Sequence, residues 1–290
     1  MSTSLHALMP RVRRLLQAQA VFVFVAGGQL YIASEQTDTL FAWTISPPIT
    51  AAFFGAIYWA SLPLVFLAAR QSLWANARIA VPATLVMESF VLFATLIHLD
   101  RFHLNSPQPL AQAAAWAWLV IYILIPLATV VLLPGQLRSA GGDPARTSPL
   151  APWVRISLLT QGTVMFGVGA ALFVAPQITA ALWPWMLTPL TARVAGGFLM
   201  GLAVAAFQMW WENDLGRIYP ASVAYCLLAG LELIAVVRYQ ALVNWSSPPI
   251  FAYVVFVLSM LLVGVYDTLG QRSRRSLHVA SVEPIQAPPV

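Results

Sequence analysis

The chain of 290 residues is 60% hydrophobic and only 9% charged, against about 25% charged in soluble domains, which excludes an ordinary water-soluble fold and places it in the membrane class. Its net charge of +5 comes from fifteen basic residues, all arginine; they cluster between apolar runs, so they report topology rather than a nucleic-acid surface. The single cysteine, Cys226, excludes an internal disulfide and a cysteine-built metal site.

A membrane span needs about 20 mostly apolar residues. Eight such runs occur, at roughly 15–34, 50–69, 79–99, 111–133, 156–175, 190–211, 219–237 and 250–267. The first has a basic start like a signal peptide, but its apolar run is long and no A-x-A cleavage site follows, so a retained helix is expected. Arg11, Arg13 and Arg14 precede it. Arg70 and Arg78 separate spans two and three, Arg138, Arg146 and Arg155 separate four and five, Arg217 follows span six, and Arg272, Arg274 and Arg275 follow span eight. All of these share one side if both termini are cytoplasmic, leaving Arg101, Arg193 and Arg238 opposite, which is the positive-inside pattern of a cell-membrane protein. Tryptophans near the span ends, among them Trp43, Trp183, Trp185 and Trp245 on the outer side and Trp74, Trp153, Trp210 and Trp211 on the inner, read as interfacial belts.

Two connections are too aromatic and too proline-bounded for free coil: residues 34–47 and 176–185. Short helices in the outer interface, or shallow re-entrant pieces, are expected there. Residues 135–151, rich in Gly, Ser and Pro, read as a cytoplasmic linker. Residues 268–290 are polar, end in prolines, and read as a disordered cytoplasmic tail.

The linker divides the chain into two units, 1–134 and 152–267, that repeat the same joints in order. Pro10-Arg11-Val12-Arg13 answers Pro152-Trp153-Val154-Arg155. Trp43 leads to Pro48-Ile49-Thr50-Ala51 as Trp185 leads to Pro189-Leu190-Thr191-Ala192. Arg78-Ile79 then answers Arg217-Ile218, Arg101-Phe102 answers Arg238-Tyr239, and Ser106-Pro107 answers Ser247-Pro248. Four spans per unit keep both in one orientation, so the expected fold is all-α, a polytopic membrane protein of two parallel four-helix repeats. Small-xxx-small pairs in the second span of each unit, Ala56 with Ala60 and Gly197 with Gly201, mark these spans as central packing helices. The Trp-rich segment followed by Pro189-Leu190-Thr191-Ala192-Arg193 resembles patterns in bacterial membrane proteins, which implies a bacterial cytoplasmic membrane and no particular activity.

Charged groups inside a span are costly and usually face protein or water. Glu88 sits mid-span, with Tyr58, Ser61 and Tyr122 as its expected neighbours. Arg193 and Glu232 fall at matching depths in spans six and seven, while the first unit has Ala52 and Phe93 or Thr95 at those positions, so an Arg193–Glu232 ion pair is expected. His98, Asp100 and His103 include metal-ligand chemistry, but on one helix this spacing scatters the side chains, so no metal is expected. Nucleotide-binding, metalloprotease and nucleophile-elbow motifs are missing, and no cofactor is expected. These features favour a non-catalytic membrane subunit or a module that binds lipid or a small molecule. A small transporter or channel-like protein with a site between the repeats is the alternative, and an intramembrane enzyme ranks last. Expected partners are the bilayer and, through the helices, another membrane protein or a second copy; nucleic acid is not among them.

Overall fold

The structure, a computed structural model, describes residues 4–282, with side chains through Gln271. Among the described residues the chain is helical apart from isolated bridges, and eight helices are long and apolar enough to cross a membrane. They are α1 (Pro10–Ile32), α2 (Pro48–Ala69), α3 (Ala80–Ile97), α4 (Pro109–Arg138), α5 (Pro152–Val174), α6 (Pro189–Glu212), α7 (Leu215–Arg238) and α8 (Pro248–Val282). This is a multi-pass membrane protein.

Proline decides where most of these helices begin. All but α3 and α7 start on a proline, whose missing N–H costs nothing at the first helical position. The helices therefore start earlier than the apolar runs, and α1 already includes Arg11, Arg13 and Arg14. The α6 start adds a capping box, in which Thr188 and Thr191 satisfy each other's backbone N–H. Asn213, at φ 46, ends α6 in the left-handed conformation. One residue later Asp214 accepts from the N–H groups of Gly216 and Arg217 and starts α7.

The helices pack as α1 on α2, α2 on α7 and α7 on α8, and as α5 on α6, α6 on α3 and α3 on α4; lighter contacts join α4 to α1 and α8 to α5. Advancing each helix number by four turns one series into the other. The third helix of each four-helix group thus packs on the second helix of the other group. Helices α2 and α6 lie centrally and bury the largest share of their length, whereas α4 and α8 bury the least. Close approach depends on glycine. A Cβ at Gly55 of α2 would overlap the backbone of Leu30 and Tyr31 in α1, and one at Gly196 of α6 would lie 2.6 Å from the Gly169 oxygen and 3.0 Å from the Phe173 nitrogen in α5.

Several expectations need correction. The tryptophans do not all form lipid-facing belts: Trp43, Trp74 and Trp185 are buried, because the connections that carry them fold back onto the bundle. Trp153, Trp211 and Trp245 are exposed. Residues 34–47 and 176–185 do contain short helices, Thr37–Leu40 and Pro176–Thr179, the latter followed by a 3-10 turn at Ala180–Leu182. The supposed disordered tail is helical as far as Val282, since no proline interrupts it before Pro284; residues 283–290 lie outside the described residues.

The linker is shorter than expected and is not free. Helix α4 runs to Arg138, and the segment beyond it is bonded at many points. Gly142 exchanges backbone hydrogen bonds with Ser4 and His6. Asp214 accepts from the N–H groups of Thr147 and Ser148 at 2.8 and 3.0 Å. Beneath it lies a charge cluster. Glu212, 1% exposed, accepts from both Arg78 and Arg217; Asp143 accepts from Arg78 at 2.6 Å, and Arg217 donates to the Pro144 carbonyl. Burial alone would lower the Arg78 pKa, but hydrogen bonds and charge from Glu212 and Asp143 outweigh it and raise the pKa above its ordinary value.

Candidate functional site

The polar residues singled out by sequence separate into three places. Glu88, 4% exposed, lies on α3. Gln19 of α1 donates to its Oε1 at 2.9 Å and to Thr84 at 3.2 Å, while Oε2 has no partner. Gln19 is the partner that sequence reasoning missed. Of the expected neighbours, Ser61 donates to its own helix at Ile57, and Tyr58 and Tyr122 hydrogen-bond each other. That tyrosine pair sits in an aromatic cluster with Phe22 and Trp118; the Trp118 and Tyr122 rings stack at 4.3 Å. The interior between α1, α2 and α4 is thereby filled.

The second place is the end of the bundle opposite the linker. The expected Arg193–Glu232 ion pair does not form. Arg193 instead donates to His98 Nε2 at 2.7 Å. The reason is packing: the α6 face that carries Arg193, Gly197 and Gly201 lies against α3, and His98 ends α3. This bond needs a neutral His98 protonated on Nδ1. Desolvation first, and the Arg193 charge second, push the His98 pKa below its usual 6.5. His98, Asp100 and His103 do not converge. Asp100 pairs with Arg101 in an exposed turn, and His103 bonds the Phe41 carbonyl and Thr44. No cluster able to hold a metal occurs among the described residues.

The joint residues do meet. Trp185 Nε1 donates to Thr50 Oγ1 at 3.1 Å, so the connection before α6 is fastened to the start of α2. Pro48 and Pro189 open their helices and Thr191 serves in the capping box. Trp43 packs against Phe102 and Trp118, with ring centroids 5.0 and 4.9 Å away.

The third place is a cavity of about 270 Å³ between α2, α5, α6, α7 and α8, roofed by Leu182, Trp183 and Pro184. Its walls are apolar, from Phe53 and Ile57 through Leu199 and Ala229 to Met260. One carboxyl breaks that surface. Glu232, 2% exposed, accepts from Tyr253 of α8 at 2.8 Å through Oε2, while Oε1 has no partner. Trp183 also lines the cavity, and its indole N–H is buried without a partner. Trp183 and Trp185 meet Tyr253 edge-on at 6.0 and 5.3 Å, which fixes the roof over the Glu232–Tyr253 pair. A buried carboxyl oxygen costs free energy unless hydrogen-bonded. An apolar pocket whose lining carries one such carboxyl and one unpartnered indole N–H has the form of a small-molecule site: greasy walls with a few polar groups. No nucleophile and base converge there as acyl or glycosyl transfer would need. Comparison with protein-family models, curated proteins and solved structures finds no match to this chain.

Proposed function

We propose that this is a non-catalytic membrane protein that binds a small apolar molecule in the Glu232 cavity. The observation that carries this reading is the apolar cavity of about 270 Å³, whose lining includes one buried carboxyl, Glu232, with an oxygen that has no partner. An engineered apolar cavity of about 150 Å³ already accepts benzene, so this one suits a larger guest. Glu88 does not line the cavity, and its bond to Gln19 gives it a structural role. The transport alternative loses its central residue in consequence.

The architecture proposed with this function is two parallel repeats, 1–134 and 152–267, related by an axis along the membrane normal. The interchangeable helix pairings support it. So do the matched glycine contacts of Gly55 and Gly196, and the way Arg78 and Arg217, at equivalent places in the two units, both hold Glu212. The arginine distribution supports a cytoplasmic linker and cytoplasmic termini in a bacterial cell membrane.

Native mass spectrometry of the protein released from its own membrane tests the binding reading. The expected result is one small molecule retained by the wild-type chain and lost from Ala229→Phe, which fills the cavity. A wild-type chain with no such molecule, or one retained equally by the variant, would count against it.

A further inference from the structure

We infer that the second four-helix group carries a membrane-embedded edge at the end of the bundle opposite the linker. The connection from α5 to α6 lies in the bilayer leaflet on that side, against acyl chains, whereas the matching connection from α1 to α2 does not. This placement holds whether or not the cavity carries a guest.

The exposed surface motivates it. Val174, Ile178, Leu182 and Met186 follow one another at intervals of four residues and are 78%, 75%, 71% and 66% exposed. Large apolar side chains gain by leaving water, and a run of them in the open marks a surface that something covers. Counted from Pro48 and Pro189, which open α2 and α6, the last three answer Thr37, Phe41 and Ile45, and each of those is only 3% exposed. The first group covers its own connection. The Phe41 ring meets Trp118 of α4 at 5.4 Å, and His103 donates its backbone N–H to the Ala42 carbonyl at 2.8 Å. The short helix Pro176–Thr179 rests instead on α5 and α6, its own neighbours, and leaves Ile178 open.

Charge identifies the cover. From 156 to 192 and from 239 to 266 the chain has no Asp, Glu, Lys or Arg. The connections of the first group at this end hold Glu35, Asp38, Asp100 and Arg101, all exposed. Even the two arginines of the second group at this end bond to the first: Arg193 to His98 of α3, and Arg238 to the Tyr31 carbonyl of α1 at 2.8 Å. Groups that need water therefore collect on the first group. The stripe begins at Val174, the last residue of α5, a helix whose Ile156 and Phe166 are also exposed, so it continues a face that meets lipid in a spanning protein. A chain in lipid must satisfy its own backbone; the N–H groups of Ile178 and Thr179 bond the Ala175 carbonyl, and that of Trp183 bonds Ala180. The exposed polar residues Gln177 and Gln240 are uncharged, which suits the margin of the hydrocarbon.

The test uses the full chain with Cys226→Ala, which removes the native thiol, and one nitroxide-labelled cysteine at a time in phosphatidylcholine nanodiscs. Ile178→Cys, Leu182→Cys and Met186→Cys probe the stripe. Val131→Cys on α4 gives the lipid reference, and Asp38→Cys the water reference. All five positions are exposed, so the labels spare the packing. Power saturation compares relaxation by oxygen, which concentrates in lipid, with relaxation by a nickel chelate, which stays in water. The oxygen-to-nickel ratio at the three stripe positions is expected to be close to that at Val131 and several-fold above that at Asp38. A ratio like that of Asp38 would put the connection in water and overturn the proposal. Labels that neither reagent relaxes would reveal a protein cover, a second copy or another chain, and would overturn it too. The mass-spectrometric test of the cavity is read separately, so the two readings fail independently.

Discussion

The first four helices and the last four pair in the same pattern but differ in what fills the space between them. Among α1, α2 and α4, the rings of Phe22, Tyr58, Trp118 and Tyr122 interlock, and the two tyrosine hydroxyls satisfy each other. Among α5, α6 and α8 the corresponding space is the cavity, with a carboxyl and an indole left over. Counted from Pro10 and Pro152, the Phe22 position falls at Val164, and counted from Pro48 and Pro189, the Tyr58 position falls at Leu199; both line the cavity. Smaller side chains at these places leave room where the first interior is packed with rings. The lesson is that helix pairing and interior volume are set separately. Small residues on α2 and α6 fix which backbones meet, and ring volume at the interior positions decides whether a guest fits.

The sharpest way to break this contrast is to empty the filled side. Trp118→Ala should cost about 3–5 kcal/mol, because a buried indole and its bond to Thr95 are lost and the surrounding rings cannot collapse; reversible unfolding in mixed micelles measures it. A cost close to zero would mean that the first interior is as loose as the second. Glu212→Leu comes next, at about 3 kcal/mol, since it leaves the largely buried Arg78 and Arg217 to share the single carboxylate of Asp143. Its effect should appear as loosening of both four-helix groups at once in hydrogen exchange, because the two arginines come from different groups. Ala229→Phe fills the open side and should change stability by under about 1 kcal/mol; a large loss would show that the cavity is not free to take extra volume. The smallest effect concerns His98. Its folded pKa is lowered, so the unfolded chain binds the proton first as pH falls. Stability should be flat above the ordinary value of 6.5 and decline below it until the folded pKa is reached. A melting series between about pH 8 and about pH 5 should lose part of that slope in His98→Asn.

Much of this fold is legible in sequence because membrane spans depend on a local property, a run of apolar residues long enough to cross. The special status of Glu88 and Glu232 is legible for the same reason, since a carboxyl in such a run stands out at once. Partners were not legible. Gln19 for Glu88, His98 for Arg193 and Tyr253 for Glu232 all depend on which helix faces meet, and the exchange of α3 and α7 between groups is not written in any local pattern. Matching depth suggested Arg193 with Glu232, but depth says nothing of azimuth, and the two side chains point toward different helices. The buried tryptophans misled because an aromatic residue near a span end reads the same whether its loop lies along the lipid or folds inward. The linker misled through composition: Gly, Pro and Ser suggest free chain, yet Asp143, Thr147 and Ser148 are held by Arg78 and Asp214. A signal was available there, in the run Glu212-Asn213-Asp214-Leu215-Gly216-Arg217, which puts acids and an arginine at a helix junction that would otherwise be apolar.

The contrast between the two interiors is tested most directly by xenon, which occupies dry apolar cavities. Crystals of the protein pressurised with the gas should show a strong anomalous site beside Ala229 and Met260, absent in Ala229→Phe, and none among Trp118, Tyr122 and Phe22. Xenon in both interiors, or in neither, would contradict the account.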